Sequence, residues 1–275
     1  MRMPEVSPGQ YALVGMVPAQ SVALRMASDT GDCVKLILAV PTYGPVDPDA
    51  ARKLRAAIMY ASRRHEWLGD ASPDRQPYAA ARNNVVHSVI HNDDYPDDAL
   101  IAWVDSDVML PIDSIARLAD HGLDFVTGIY FQRHPPHRPL IAHFNGKSFQ
   151  WAAKWPRNVI APMDGCGFGC VLTSLGMLRK MDAPWFEYLK FSEDFDFCLK
   201  AAKLGFQLYV DTAVLCGHLM DPEPATIDTY VNANPEFKLE VNNDGTVRSL
   251  DEKRNMGFPE EQDSGRQRAR ESGAA

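Results

Sequence analysis

Two carboxylates separated by one small residue, Asp105-Ser106-Asp107, close the stretch Ala99-Leu100-Ile101-Ala102-Trp103-Val104. The residues before them carry no charge, as expected of a strand covered on both faces of its sheet. In open α/β sheets the carboxyl end of such a strand is where ligands bind. Carboxylate oxygens are hard donors, suited to Mg²⁺ or Mn²⁺ with a bound phosphate completing the shell. The plainer alternative is a polar strand end leading into a turn, with Asp113 or Ser114 capping the next helix.

A second acidic pair, Glu193-Asp194, stands in the first turn of a patterned helix that starts at Ser192 and runs to Leu204 before Gly205. The helix dipole favours the ionised carboxylate there, ready to accept a proton. On a wheel centred on Phe195, Cys198, Leu199 and Ala202, Asp194 lies at the flank and Glu193 nearly opposite. Asp194 is therefore the better placed to look into a cleft. The alternative is that both acids simply satisfy the helix N-terminus.

The elements that must position these groups follow an α/β order. Residues 35–40 form a buried-strand pattern, ended by Pro41-Thr42-Tyr43-Gly44-Pro45. Asp47 or Asp49 with Pro48 opens a helix from Ala50 to Arg63, and residues 65–77 read as a loop or a short strand. A helix over 78–91 buries Ala81, Val85, Val86, Val89 and Ile90, and the acidic strand comes next. A helix over 113–121 stops at Gly122, a strand covers 125–131, and residues 132–139 form a loop. Phe144-Asn145-Gly146-Lys147-Ser148-Phe149 predicts a hairpin. The glycine-punctuated run 163–172 approaches a strand, Ser174 caps a short helix, and a last strand spans 207–214, ending near Cys216-Gly217-His218. This order predicts a mixed, mainly parallel central sheet flanked by helices.

Beyond residue 221 a C-terminal extension reaches 250, with a hairpin expected over 237–248 at its Asp244-Gly245 turn. Residues 251–275 are charged, have few apolar side chains and read as a disordered tail. Residues 1–33 form an N-terminal extension without a readable period.

The net charge of −8 over 275 residues argues against general nucleic-acid binding. No apolar run approaches the ~18 residues of a spanning helix, so no membrane-spanning segment is expected. Five scattered cysteines suit a reduced compartment better than a disulfide framework. Cys166, Cys170, Cys216 and His218 can be drawn as a zinc set, but buried free thiols are the better account. The first residues lack an apolar signal core, which points to the cytoplasm.

Taken in order, Pro41-Thr42-Tyr43, Ala81-Arg82-Asn83, Asp105-Ser106-Asp107, the run Gly165–Gly169, Glu193-Asp194-Phe195-Asp196-Phe197-Cys198 and Gly217-His218 resemble a GT-A glycosyltransferase. The likeness is to family 2-type enzymes, including those carried by bacteriophages, and it covers residues 34–220. It implies a Rossmann-like GT-A domain that moves sugar from a nucleotide-diphosphate donor, a UDP-sugar being favoured, to an acceptor hydroxyl on a glycan, a protein or a modified nucleic-acid base. For a phage-encoded enzyme the compartment is the host cytoplasm.

By this resemblance Asp107 and His218 hold Mn²⁺ or Mg²⁺, and Asp105 reaches the metal through water or touches the ribose, beside Ser106. Thr42 and Tyr43, after Pro41, line the nucleotide pocket. Arg82, next to Asn83, reaches the nucleotide or its phosphates, unless it is a solvated helix arginine. Gly165 and Gly167 let the backbone approach the sugar or acceptor, unless they mark a bulge. Trp185 stacks on a sugar face, or packs on the core. Asp70 and Asp74 are the candidates for reading the base. Asp194, with Glu193 beside it, is the catalytic carboxylate. Two rivals remain: a sugar-phosphate nucleotidyltransferase, against which the residues after the first strand speak, and a non-catalytic carbohydrate-binding protein keeping the fold.

Overall fold

The computed structural model describes residues 33–42, 44, 46–73, 75–220 and 223–234. In chain order they form Lys35–Ala39 (β1), Pro48–Ala61 (α1), Glu66–Asp70 (β2), Tyr78–Val89 (α2), Leu100–Val104 (β3), Val108–Met109 (β4), Ser114–Asp120 (α3), Phe125–Ile129 (β5) and Ile141–Phe144 (β6). Then follow Phe149–Trp151 (β7), Ile160–Met163 (β8), Gly165–Cys166 (β9), Cys170–Ser174 (β10), Leu175–Arg179 (α4), Glu193–Lys203 (α5), Leu208–Leu215 (β11), Gly217–His218 (β12) and Ile227–Ala233 (α6).

The central sheet has the order β2-β1-β3-β10-β5-β11-β8. Its strands run in one direction except β10, between β3 and β5, and the edge strand β8. The expected mixed, mainly parallel sheet flanked by helices is present. The segment 65–77, open between loop and strand, supplies β2, parallel to β1. Because β1 lies between β2 and β3, the winding reverses there. A crevice is left beyond its carboxyl end.

Period-two alternation explains why the strands look apolar throughout. Leu36, Leu100, Ala102, Val104, Val126 and Leu172 share one cluster with Ala57 and Ala61 of α1 and Ile115 and Leu118 of α3. Ile37, Ile101, Trp103, Phe125 and Val171 face the other way, onto Val85, Val86 and Val89 of α2 and Phe197, Cys198 and Ala201 of α5. Both faces are dry, so both parities must be hydrophobic.

The local signals act where expected. Asp47 caps α1 by accepting from Asp49 N at 2.7 Å and Ala50 N at 3.1 Å, with Pro48 in the first turn. Gly122 (φ +59°) and Gly205 (φ +88°) terminate α3 and α5 in the left-handed region. The hairpin of β6 and β7 turns at Asn145, whose side chain accepts from Lys147 N and Ser148 N. Helix α6 was not expected. Tyr230 anchors it on the main core, stacked on Phe131 and donating to Ala153 O at 2.7 Å. The hairpin expected at 237–248, the tail from 251 and nearly all of the N-terminal extension lie outside the described residues.

Candidate active site

The β4–β12 ribbon decides where His218 goes. Its register pairs His218 with Val108, and Leu219 N donates to Asp107 O at 2.9 Å. The late histidine is thereby brought beside the central acidic turn. His218 Nδ1 lies 2.7 Å from Phe131 O, which can only accept, so Nδ1 carries the proton. Nε2 then faces Asp107 Oδ2 at 3.5 Å. Two electron-rich atoms this close call for a proton or a cation between them. Arg133 also reaches this carboxylate, with Nη2 3.0 Å from Oδ2. Burial pushes the Asp107 carboxyl up, but the hydrogen bond and charge of His218, with the charge of Arg133, outweigh it and hold Asp107 below its ordinary value.

The pair fits a divalent cation chemically: a hard carboxylate oxygen and an imidazole whose other nitrogen is tied to a backbone carbonyl, as metal-ligating histidines usually are. Among the described residues no group of three His, Cys, Asp or Glu converges as a closed cage. Further positions would fall to water or substrate oxygens, as is usual for Mg²⁺.

Beside this pair lies a denser cluster. Arg82 sits on the buried stripe of α2 with Ala81, Val85, Val86 and Val89 and is only 2% exposed. Its Nη1 donates to Glu193 Oε1 at 2.9 Å and to Asp194 Oδ1, and its Nη2 donates to Asp105 Oδ1 at 3.1 Å. Phe168, Tyr78 and Phe186 surround the guanidinium, with ring centroids 5.4, 5.7 and 5.8 Å away. Burial alone would lower the Arg82 pKa, but Asp194, Asp105 and Glu193 raise it, so the cation is permanent. Asp194 is pushed up to about 7, first by burial and then by Glu193 and Asp105, with Arg82 pulling the other way. Burial likewise raises Asp105, against Arg82. A carboxylate poised near neutral pH suits a general base.

Several expectations need correction. Arg82 is not a solvated helix arginine, because its position belongs to the apolar stripe; both Nη groups donate to carboxylates, and the buried Nε has no hydrogen-bond partner. Glu193 does not point away. The inner face of α5 is formed by Phe197, Cys198 and Ala201, with Ala202 exposed, so the helix is rotated and both Glu193 and Asp194 reach Arg82. Trp185 is buried, donates Nε1–H to Leu178 O at 3.0 Å and meets His87 edge-on, so it is a core residue and not a sugar platform.

The glycines near β9 make room for side chains of this chain. A Cβ on Gly165 would lie 2.5 Å from Phe149, and one on Gly167 2.2 Å from the Tyr130 hydroxyl. The close approach expected of a donor is made by aromatic rings instead. Asn83 clamps the chain before α5: Nδ2 donates to Phe186 O at 2.7 Å and Oδ1 accepts from Phe186 N at 3.0 Å. Asp70 accepts from Ser72 N and Ser72 Oγ and so shapes the turn after β2.

Pro41 and Thr42 follow β1 at the crevice. Thr42 N donates to Pro73 O and Thr42 O accepts from Arg75 N, which ties this loop to the one after β2. Ser106 lies in the turn closed by Val108 N donating to Asp105 O at 3.0 Å. Tyr43 and Asp74 lie outside the described residues. The drawn zinc set does not assemble among the described residues. Cys170 and Cys216 are buried in one apolar cluster, Cys198 Sγ faces Cys166 O, and His218 is turned to Phe131.

Sequence reasoning missed Tyr130, Phe131 and Arg133. The Tyr130 hydroxyl accepts from Gly169 N at 3.2 Å beneath the cluster, and Phe131 supplies the carbonyl that orients His218. Their signal was positional: all three follow a sheet strand at the edge that carries the acids.

No family model and no curated protein matches this sequence. Among solved structures the chain is similar to A197 from STIV (18% identity, 78% of this chain and 97% of that one, TM-score 0.47). It is also similar to GalNAc-T7, crystallised with UDP, GalNAc and Mn²⁺ (9% identity, 75% of this chain and 48% of that one, TM-score 0.42). A third likeness is to 4-diphosphocytidyl-2C-methyl-D-erythritol synthase (13% identity, 74% and 98%, TM-score 0.39). These are likenesses of chain path. The functional reading rests on the side chains.

Proposed function

We propose that the chain is a metal-assisted glycosyltransferase of the GT-A type, moving a sugar from a nucleotide-diphosphate donor, with UDP-sugars favoured, to an acceptor hydroxyl. The observation that carries this reading is the pairing of His218 Nε2 with Asp107 at the switch-point edge, two positions after Asp105, which Arg82 joins to Glu193 and Asp194. The sequential order of the motifs supports it. Asp107 and His218 would hold Mn²⁺ or Mg²⁺, which when bound neutralises the charge that develops on a leaving diphosphate.

The chain's own groups supply the rest. In an inverting transfer Asp194 takes the proton of the acceptor hydroxyl. The acceptor oxygen forms the new bond to the anomeric carbon, and the bond to the β-phosphate oxygen breaks with its electron pair leaving on the diphosphate. Arg82 holds Asp194 and Glu193 in place, and its permanent charge keeps three carboxylates together in a buried setting. The aromatic wall of Phe168 and Phe186 excludes water from that side.

The test is release of nucleoside diphosphate from a panel of nucleotide sugars with Mn²⁺, with and without simple acceptor sugars. The reading predicts release from at least one UDP-sugar, lost on chelation. Pyrophosphate-dependent turnover would instead mark a nucleotidyltransferase. No turnover with any donor would mark a non-catalytic protein.

A further inference from the structure

Asp107 Oδ2 has two neighbours of different exposure. His218 is buried and fixed by its bond to Phe131 O, whereas the Arg133 side chain is 45% exposed and reaches the carboxylate from the loop after β5. The backbone of that loop is closed on itself. Gln132 N donates to Arg138 O at 2.8 Å, His137 N to His134 O at 3.0 Å, and His137 Nδ1 pairs with Gln132 O at 3.0 Å. Asn234 Nδ2 adds a bond to Pro136 O at 2.8 Å from the far end of α6. From this held backbone the half-exposed Arg133 side chain extends to Asp107.

A half-exposed ion pair of this kind is weak, because water screens it, so it yields readily to a stronger partner. The charge around it is also unbalanced. Asp105, Asp107, Glu193 and Asp194 face Arg82 and Arg133, and Arg82 is buried and already committed to three of the acids. A diphosphate entering here adds further negative charge. Arg133 is the partly exposed guanidinium beside Asp107, and a guanidinium binds phosphate oxygens in a bidentate fork.

We propose that Arg133 is a built-in counter-ion that occupies Asp107 in the free protein and passes to the donor's diphosphate once a divalent cation takes its place. This rests on the nucleotide-diphosphate reading above. Arg133 then plays two opposed parts: it competes with the metal when no nucleotide is present, and it holds the nucleotide when metal is present.

The test measures Mn²⁺ binding to the full-length protein by electron paramagnetic resonance of the free ion, and UDP binding by calorimetry at saturating Mn²⁺. Wild type, Arg133→Ala and Asp107→Ala are compared. The proposal predicts that Arg133→Ala binds Mn²⁺ alone several-fold more tightly than wild type, yet binds UDP with Mn²⁺ roughly tenfold more weakly, with an unchanged melting temperature. Unchanged or weaker Mn²⁺ binding, or unchanged UDP binding, in a variant whose wild-type parent binds both would overturn the role of Arg133 and leave the metal site standing. Absence of Mn²⁺ binding in wild type itself would remove the metal site, and this proposal with it.

Discussion

His218 Nε2 faces Asp107 Oδ2 across 3.5 Å because its other ring nitrogen is tied to Phe131 O at 2.7 Å. Three separate strand ends meet in that contact: the turn after β3, the segment after β5 and the short β12. None of them is adjacent in sequence to another. Parallel winding with β10 inserted antiparallel is what aligns their ends on one edge.

The elevated Asp194 predicts a pH profile. With its carboxyl pushed up to about 7, the base is lost below that pH, so transfer rate rises through neutrality and levels off above it. Asp194→Asn should bind donor normally and lose nearly all transfer at every pH, while Glu193→Gln loses less. A pH–rate series on the three proteins checks this. Full activity in Asp194→Asn would remove the residue from the mechanism.

The same shift makes a stability statement. Asp194 in the unfolded chain titrates near its ordinary value, about 3.9, so between there and about 7 the native state binds the extra proton. The contribution is present at low pH and is lost as pH rises through about 7. Relative to wild type, Asp194→Asn should therefore be more stable at pH 8 than at pH 5. Denaturant titrations at the two values supply the comparison, and an unchanged difference would mean that Asp194 is ionised throughout.

Arg82→Ala leaves Asp105, Glu193 and Asp194 without their shared counter-ion in a buried space. Removing one partner from such a cluster costs about 3–5 kcal/mol. Urea unfolding should show a loss in that range. A loss below about 1 kcal/mol would mean that the carboxylates neutralise one another by taking up protons.

Asp196 belongs to the same helical turn but does different work. Its Oδ2 accepts from Leu189 N at 2.8 Å and from Lys190 N and Phe191 N at 2.9 Å each. Asp196→Ala should cost roughly 1.5–3 kcal/mol, the net contribution typical of hydrogen bonds to a charged acceptor. It should also raise amide hydrogen exchange at residues 189–191 selectively. Uniform exchange across α5 instead would indicate loss of the helix itself.

How much of this was legible in the sequence depends on the range of the signal. The acidic strand end, the helix stops at Gly122 and Gly205 and the Asn145 turn are local and were readable. Arg82 was nearly so: residues 78, 81, 82, 85, 86 and 89 share one helical face, which already marks position 82 as buried, but its three partners come from distant segments. The rotation of α5 was misjudged because Leu199 and Ala202 look apolar while the true inner face includes Phe197 and Ala201. Trp185 stayed open between a sugar platform and core packing because the burial of its loop depends on Asn83 and Asp196, which hold it from two helices. The β4–β12 pairing joins two-residue segments about a hundred positions apart, and no local pattern announces it.

The central claim is that Asp107 and His218 form a metal-dependent nucleotide site. Calorimetric titration of UDP into wild type, Asp107→Ala and His218→Ala, each with and without Mn²⁺, tests it most directly. The account predicts that Mn²⁺ raises UDP affinity at least tenfold in wild type and that either substitution abolishes the gain. Equal UDP binding with and without Mn²⁺, unchanged in Asp107→Ala, would contradict it.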